Sequence, residues 1–355
     1  MNHRQQILLL PSLLLVSLLA TAMAAGDIKR TSSGKPDFTG VYDSGTLTPL
    51  NRPAQYGDRE FMTKEEAQGT AGLIEGFLAA AGQASDPERG APVKGGDGNN
   101  QAGAGGVGGY NAFYVDLGSG VDEIDGKYRT SIIYDPANGQ QPAMTEKARL
   151  KMAANFASFA HNNDGTASWL DNDGPGPFDG PESLALSERC LVAFSSGAPT
   201  IPSLYNNYRS ITQTEDHVVI LIEMVHDARL IRLDSEHAPA GMRKWLGDSI
   251  GHWEGDTLVI ETTNFRNEGA LAGADENRHV IERFSMMENG NLLYDFTVDD
   301  PTAWTAPWSG QYVWKKKAAK VYEYACHEGN YAMGNILRGA RLLESEYQVD
   351  AGGGD

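Results

Sequence analysis

The sequence predicts a mainly β protein, an antiparallel, barrel-like sheet with a helical N-terminal part. The second half carries short segments rich in β-branched and aromatic residues, separated by turn signals. No helical crossovers separate these segments, which favours antiparallel pairing. The edge strands of an open sheet have unpaired backbone groups, and closure into a barrel removes those edges, so we expect a barrel. A hydrophobic content of 41% with 21% charged residues is typical of a globular chain rather than a disordered one.

Residues 1–25 have the features of a Sec signal peptide. Arg4 gives a positive start, Ile7–Ala20 is mostly apolar, and the small residues around Met23 predict cleavage near Ala24/Ala25. The apolar run is short for a membrane span, so an uncleaved anchor is the less favoured alternative. We therefore expect a periplasmic or secreted protein with no stable membrane insertion after cleavage.

The charge balance restricts the class of partner. The chain has 29 basic and 47 acidic residues, a formal net charge of −18. Nucleic acid and anionic membrane surfaces would repel such a chain, so we expect no nucleic-acid partner. We expect a small organic molecule as the partner, and binding of another protein through the acidic face is the alternative.

Residues 26–109 form the predicted N-terminal segment. It is extended and turn-rich up to Pro53, and Thr63 followed by Glu66 then predicts a capping box that opens a helix. Residues 90–109 form a glycine-rich loop without the spacing of a phosphate-binding loop or a dinucleotide-binding turn. We therefore predict no cofactor.

Residues 110–345 form the predicted barrel domain, which contains one helix at 145–161 with Thr145 as its N-cap. An Asn-Gly turn at Glu288–Asn291 predicts a hairpin, and residues 346–355 are expected to form a flexible tail. The predicted strands are Asn111–Leu117, Tyr128–Tyr134, Val218–Ile231, Asp256–Thr263, Arg278–Met287, Asn291–Val298, Gln311–Trp314 and Val321–Cys326.

These strands alternate apolar and polar residues, so that each has one apolar and one polar face. In the strand that begins at Asn291, for example, Leu292, Tyr294 and Phe296 alternate with Asp295 and Thr297. Two interpretations of the polar faces stay open. They could face solvent, or they could line a partly polar lumen such as ligand-holding barrels have.

The two cysteines predict a disulfide. Cys190 and Cys326 are the only pair in the chain, and an exported protein meets an oxidising compartment. Two separate buried thiols are the alternative.

Three stretches together resemble a family of exported bacterial proteins that has no established activity. They are Tyr205–Tyr208, Gly251–Phe265 (GHWEGDTLVIETTNF) and Tyr322–Tyr331 (YEYACHEGNY), with Glu223–Arg229 between the first two. The similarity covers about residues 35 to 341, apart from the glycine-rich loop. It implies export but no reaction. The strand pattern is also similar to lipocalin and calycin barrels, a resemblance of architecture alone.

The candidate site is a group of acid–base residues on strands or strand ends. A carboxylate beside an imidazole can tune it for proton transfer near neutral pH, and an arginine can hold a carboxylate or an oxyanion. The alternative is that these groups satisfy one another or lie in water. The predicted catalytic residues are His226, Asp227, Glu261, His327 and Glu328, and the predicted binding residues are Arg229, His279, Arg283 and Tyr294.

A metal site is not predicted, although one loop resembles an EF-hand. No HExxH motif occurs, and the histidines are scattered along the chain. Pro175 replaces an oxygen ligand of the EF-hand pattern, so a plain acidic turn is the favoured interpretation. The weak calcium candidates are Asp171, Asp173, Asp179 and Glu182.

Three functions stay open at this point. The first is a cofactor-independent lyase, isomerase or hydrolase that acts on a small organic molecule by His/Glu acid–base chemistry in a polar-lined barrel cavity. The second is a non-catalytic carrier or sensor of a small ligand, and the third is a structural envelope protein. A barrel lumen lined by paired His and Glu would favour the first, a wholly apolar lumen the second, and the absence of a lumen the third. Whether the protein is an enzyme is not decided by the sequence.

Overall fold

The computed structural model describes residues 28–82, 88, 115–155, 165–267, 271, 273–274 and 276–352. The predicted signal peptide (1–25) and glycine-rich loop (90–109) lie outside the described residues. The part of the predicted 145–161 helix that follows residue 155 also lies outside the described residues. Most of the strand predicted at Asn111–Leu117 lies outside them as well, and its described part, residues 115–117, does not belong to a strand.

The described chain contains thirteen strands and four helices. The helices are α1 (Lys64–Ala81), α2 (Glu146–Asn155), α3 (Cys326–Gly329) and α4 (Tyr331–Gly352). The strands are β1 (Gly40–Asp43), β2 (Phe61–Met62), β3 (Glu123–Ile124), β4 (Lys127–Arg129), β5 (Ile133–Asp135), β6 (Tyr208–Gln213), β7 (His217–Ile222), β8 (Ala228–Leu233), β9 (Asp248–Glu254), β10 (Thr257–Thr263), β11 (His279–Met286), β12 (Leu292–Asp299) and β13 (Trp308–Lys317).

Nine strands close into a barrel in the order β1, β6, β7, β8, β9, β10, β11, β12, β13, and β13 pairs back to β1. Tyr42 of β1 lies opposite Arg209 of β6 on one side and Lys316 of β13 on the other. The predicted mainly β, barrel-like fold is thereby confirmed. Its pairs are antiparallel with one exception: β8 and β9 are parallel, so the barrel is mixed. β5 pairs with the beginning of β13, and β2, β4 and β3 form a small separate sheet.

The predicted alternation places the apolar faces inside the barrel, where the side chains fill the interior. The ring of Tyr294 lies 4.9 Å from that of Phe284 and 5.3 Å from that of Tyr312, measured between centroids. The described interior is therefore a packed core. Of the two interpretations that the sequence left open for the polar faces, the polar-lined lumen is not found among the described residues. The buried apolar members of the interior include Val218, Ile220, Ile222, Ile231, Leu258, Ile260, Val280, Phe284, Leu292, Tyr294, Phe296, Val298, Tyr312 and Trp314.

The strand predicted at Val218–Ile231 is in fact a hairpin. β7 ends at Ile222, a short 3₁₀ turn follows at Met224–His226, and β8 runs back beside β7. Val225 and His226 have φ of 62° and 56°, values that bulky side chains adopt rarely. This reversal resets the alternation, so that Arg229 shares the interior face of β8 with Ile231.

The C-terminal part also departs from the prediction. Residues 321–325 belong to no strand, and α4 continues to Gly352, where a flexible tail was expected from residue 346. The helix is held by an apolar stripe: Ala340 is buried in a cluster with Trp169, and Tyr347 packs against it. Trp169 also donates its indole N–H to Glu344 across 3.0 Å. A helical spacing of apolar residues was thus present in the sequence and was missed.

The local helix signals are found in the structure. Thr63 Oγ1 accepts from the backbone N–H of Glu66, and the Glu66 carboxylate accepts from the N–H of Thr63, which completes the capping box at the start of α1. Thr145 caps α2 by accepting from the N–H of Ala148 across 3.1 Å. Among the described ranges, none of the helices has the length and apolar character needed to cross a membrane.

The predicted disulfide joins Cys190 to Cys326, with their Cα atoms 5.8 Å apart. It connects two segments that are 136 residues apart in the sequence. One is the loop that precedes β6, and the other is the segment between β13 and α4. Both segments are thereby fixed at the same end of the barrel.

Candidate functional site

One end of the barrel is closed by Ser195–Thr200, which we call the plug. All of its residues are buried. The N–H of Thr200 donates to Tyr294 Oη across 2.9 Å, and Tyr312 Oη donates to the carbonyl of Thr200 across 3.0 Å. Arg209 donates to the carbonyl of Ser195 across 3.0 Å. Interior side chains of the barrel therefore hold the plug by its backbone.

The predicted binding residues Arg229 and Tyr294 lie inside the barrel, in an ion-pair network with Glu282. Arg229 Nη1 donates to Glu282 Oε1 across 2.9 Å, and its Nη2 contacts Glu282 Oε2. Tyr294 Oη donates to Glu282 Oε1 across 2.7 Å. Burial, reinforced by the Glu282 carboxylate, raises the pKa of Tyr294 well above its ordinary value. Glu282 was not among the predicted site residues. A sequence signal for it existed, because Glu282 takes the place of an apolar residue in the alternation between Val280 and Phe284 of β11, which indicates a buried charge.

Three further predicted residues lie on the outer face of the barrel. His279 Nε2 and Glu261 Oε1 are 2.8 Å apart, and both side chains are 40% exposed. Arg283 is half-buried on the same face, opposite Asp295 of β12. The structure thus brings Glu261 and His279 together, but on the side of the sheet away from the packed interior.

The remaining predicted catalytic residues lie near the turn between β7 and β8. His226 is exposed, and its Nε2 accepts from the N–H of Tyr324 across 3.1 Å. Asp227 accepts from the N–H of Ala193 across 3.1 Å, and burial raises the pKa of its carboxyl group. His327 and Glu328 are exposed on α3. The predicted acid–base group is therefore divided between this turn, the outer face and the interior.

The EF-hand-like loop uses its carboxylates for local contacts. Asp171 accepts from Tyr347 Oη across 2.6 Å, which ties the loop to α4, and Asp179 accepts from the N–H of Gly176 across 2.7 Å. Asp173 and Glu182 are exposed. Within the described part of the chain, three or more His, Cys, Asp or Glu residues nowhere gather as a metal site would require.

A cavity of about 360 Å³ lies beside the plug. Three chain segments form most of its walls: the loop after β1, the loop at Leu117, and the stretch on both sides of the plug. Ile132, the residue before β5, completes the described lining. Its described lining contains apolar and hydroxyl side chains but no charged one. The lining residues are Thr46, Thr48, Leu50, Leu117, Ile132, Phe194, Ile201, Pro202, Ser203 and Leu204.

Asn207, which is fully buried, joins the three walls. Its side-chain amide accepts from the N–H of Ser203 across 2.9 Å and donates to the carbonyls of Ser203 and Asp116, each across 2.8 Å. Its own carbonyl accepts from the N–H and Oγ of Ser44. Asn207 belongs to the Tyr205–Tyr208 motif, so the motif has a structural role at the cavity.

Two of the walls also meet at a contact between glycines. Gly118 has φ of +88°, and a Cβ atom there would lie 2.4 Å from the carbonyl carbon of Gly45. A side chain is therefore excluded at Gly118 by its backbone conformation and by the close approach of the other wall.

The three hydroxyl groups of the lining differ in their hydrogen bonds. Thr46 Oγ1 donates to Thr48 Oγ1 across 3.1 Å, and Thr48 Oγ1 also accepts from the N–H of Asp122 across 3.0 Å. Ser203 Oγ is buried and has no hydrogen-bond partner among the residues that the structure describes. No sequence signal marks Ser203, because its environment comes from segments distant in the chain.

Neither the protein-family models nor the curated proteins compared with the chain gave a match. Function is therefore inferred from the cavity and from the packing around it.

Proposed function

We propose that this protein is exported and binds a small, uncharged, largely apolar molecule in the cavity beside the plug. The observation that carries the proposal is the lining of the cavity, whose described residues are apolar apart from three that carry a hydroxyl group. The proposal corresponds to the carrier or sensor among the functions that the sequence left open.

The size and the chemistry of the cavity suit such a ligand. Pockets for small molecules usually measure about 300–1,000 Å³, and 360 Å³ lies at the lower end of that range. Burying apolar ligand surface contributes roughly 25 cal/mol per Å². A charged ligand group would find no charged partner in the described lining. An uncharged molecule is therefore favoured.

The walls are held in place before any ligand binds. Asn207 ties all three walls together, the Gly45–Gly118 contact brings two of them against each other, and the disulfide at Cys190 fixes the chain just before Phe194. Preformed walls leave little conformational entropy to be lost on binding, which favours affinity.

Acid–base catalysis finds less support in the geometry. None of the predicted catalytic residues is among the lining residues of the cavity. His226 and His327 are exposed, and Glu261 pairs with His279 on the outer face. The described side chains fill the barrel interior and leave no lumen, which by the criterion drawn from the sequence favours the structural envelope protein. That function and the enzyme stay predictions, and the separate cavity beside the plug makes binding the function we favour.

Export is supported by the features of residues 1–25, by the Cys190–Cys326 disulfide and by the resemblance of the motifs to an exported bacterial family. A ligand-binding role would also be in keeping with the lipocalin resemblance, although the cavity lies beside the end of the barrel and not in its centre. N-terminal sequencing of protein recovered from the periplasm or the medium tests this part. We expect the mature chain to begin just after Ala24 or Ala25. A recovered chain that still contains residues 1–25 would contradict export with cleavage.

Binding is tested with N-phenyl-1-naphthylamine, an uncharged fluorescent probe, on the mature chain. We expect a saturable rise in fluorescence with the wild type. Ser203→Trp and Leu117→Trp place an indole in the cavity and should weaken binding at least about tenfold, since the ligand loses its volume. Leu230→Trp is the matched control, because Leu230 is 52% exposed on the outer face of β8. Non-saturable binding by the wild type, or equal binding by the filled variants, would overturn the proposal.

A further inference from the structure

We infer that Phe194, at the opening of the cavity, gives the cavity a preference for ligands that carry an aromatic ring, because the bound ring packs against the exposed part of the Phe194 side chain. The inference rests on the proposed binding function and adds the chemical class of the ligand. That class consists of uncharged, largely apolar molecules with one or two planar rings, in preference to saturated molecules of the same size.

Phe194 and Leu204 lie at the opening of the cavity. Both belong to its lining, and both are exposed, Phe194 to 44% and Leu204 to 54%. The lining residues Thr46, Thr48 and Ile132 are buried and therefore form its deeper part. A ligand that enters from solvent can thus reach Phe194 and Leu204 in the chain as it is folded.

The position of this exposed apolar pair distinguishes it from ordinary surface residues. Single exposed apolar side chains are common on proteins and need no explanation. Phe194 and Leu204, however, come from the two sides of the plug and line the same cavity. A ligand that covers both removes apolar surface of the protein from water as well as its own, which favours binding.

The backbone that carries Phe194 is held on both sides of the residue. The N–H of Ala193 donates to Asp227 Oδ2 across 3.1 Å, and the carbonyl of Ser195 accepts from Arg209 across 3.0 Å. The ring is therefore presented from a fixed part of the chain. A ligand that binds against it does not have to order this segment, which reduces the entropy cost of binding.

The exposed part of the Phe194 ring favours an aromatic ligand. Another part of the ring packs against Tyr205, with 5.9 Å between the ring centroids and an interplanar angle of 85°. A ligand ring can pack against the exposed part edge-to-face or offset, and such pairs are more favourable than the buried area alone accounts for. A saturated ring gains the area but not the pairing. Because Phe194 is the one aromatic residue of the described lining, the preference depends on it.

The test compares 2-naphthol with decahydro-2-naphthol at pH 7. They share a fused ten-carbon skeleton and one hydroxyl group and differ in aromaticity. Each displaces N-phenyl-1-naphthylamine from the mature wild type and from Phe194→Leu, which keeps an apolar side chain but removes the ring. We expect the ratio of the naphthol affinity to the decahydronaphthol affinity to fall at least about twofold, and up to about tenfold, in Phe194→Leu. Comparing ratios removes the general difference in hydrophobicity between the two ligands.

Leu204→Ala is the matched control at the same opening. It shortens an apolar side chain without removing a ring, so both ligands should bind more weakly while their ratio stays within twofold. If both ligands bind the wild type and the ratio falls less than twofold in Phe194→Leu, or falls equally in Leu204→Ala, the inference about Phe194 is wrong and the proposed function stands. If neither ligand displaces the probe from the wild type, the proposed function itself fails.

Discussion

The barrel interior and the wall of the cavity beside the plug both contain buried polar groups, and these groups differ in their hydrogen bonding. In the interior, Glu282 receives hydrogen bonds from both Arg229 and Tyr294. In the cavity, Ser203 Oγ has no partner among the described residues. The interior therefore contains Arg229, a charged residue that the sequence predicted as functional, whereas the cavity wall contains a neutral group that the sequence does not mark.

The physical reason for this difference is the cost of burying a charge. An ionised group inside a protein needs a partner of opposite charge and further hydrogen bonds, so a buried pair such as Arg229–Glu282 is satisfied from within the fold. Leaving a buried neutral hydroxyl without a hydrogen bond costs far less free energy than leaving a buried charge without a partner. The buried Arg229–Glu282 pair thus indicates structure, whereas unpaired neutral groups occur both at Ser203 and elsewhere in the described core, for example at Tyr42 Oη and Trp314 Nε1. Four substitutions test that comparison.

The largest effect is expected from Glu282→Ala. The change leaves Arg229 as a buried charge without its partner, which should lower the free energy of unfolding by about 3–5 kcal/mol. Urea denaturation measures it. The double change Arg229→Met with Glu282→Leu should recover most of the loss, since it removes both charges. A loss below about 1 kcal/mol for the single change would mean that the interior tolerates unpaired charge.

Gly118→Ala tests whether the walls of the cavity depend on the glycine contact. The new Cβ atom would lie 2.4 Å from Gly45, at a φ of +88°. Strain and displacement of the wall should cost about 2–3 kcal/mol and weaken probe binding. Gly120→Ala is the matched control, because nothing lies within 4 Å of its Cβ position. Equal stability and equal probe binding in both variants would contradict the preformed walls.

Asp248→Asn tests a second satisfied charge, outside the barrel interior. Burial opposes ionisation of Asp248, but hydrogen bonds from Arg232, Lys244, His237 and the N–H of Ala238 outweigh it and hold the pKa of this carboxyl well below its usual range. We expect a loss of about 2 kcal/mol at pH 7.

The pH dependence of that loss has a definite sign. Because the folded-state pKa of Asp248 is depressed, its stabilisation is complete above the unfolded-state pKa of about 3.9 and declines as the pH falls below it. Urea denaturation at pH 7, 5, 4 and 3 should therefore show wild type and Asp248→Asn converging towards acid pH. A difference that stays constant from pH 7 to pH 3 would show that the charge of Asp248 contributes nothing.

The smallest effect is expected from Ser203→Ala. Its Oγ makes no hydrogen bond within the described structure, so the free energy of unfolding should change by less than about 0.5 kcal/mol. Thr48→Val, in the same lining, should cost about 1 kcal/mol because Thr48 accepts from Thr46 and from the N–H of Asp122. Thermal or urea denaturation of the two variants compares them. Similar losses at the two positions would remove the distinction between engaged and free hydroxyls.

Several features of the fold could be predicted from short stretches of sequence. The alternation in Leu292–Asp299 gave the buried face of β12, Thr63 and Glu66 gave the start of α1, and the lone cysteine pair gave the disulfide. The position of Arg229 could not be predicted in this way. It depended on a reversal of the chain at Val225, and no local sequence pattern predicts the positive φ of that residue.

The candidate site was beyond local prediction altogether. Asn207 binds Asp116 and Ser44, which lie 91 and 163 residues away in the sequence. The alternation of a strand or the cap of a helix involves neighbours a few residues apart, and the sequence by itself therefore determined the faces of strands such as β12 and the start of α1. Which buried polar group has a partner depends on distant segments that meet only in the folded chain. For that reason the tertiary structure alone decided that Glu282 is satisfied and that Ser203 is free.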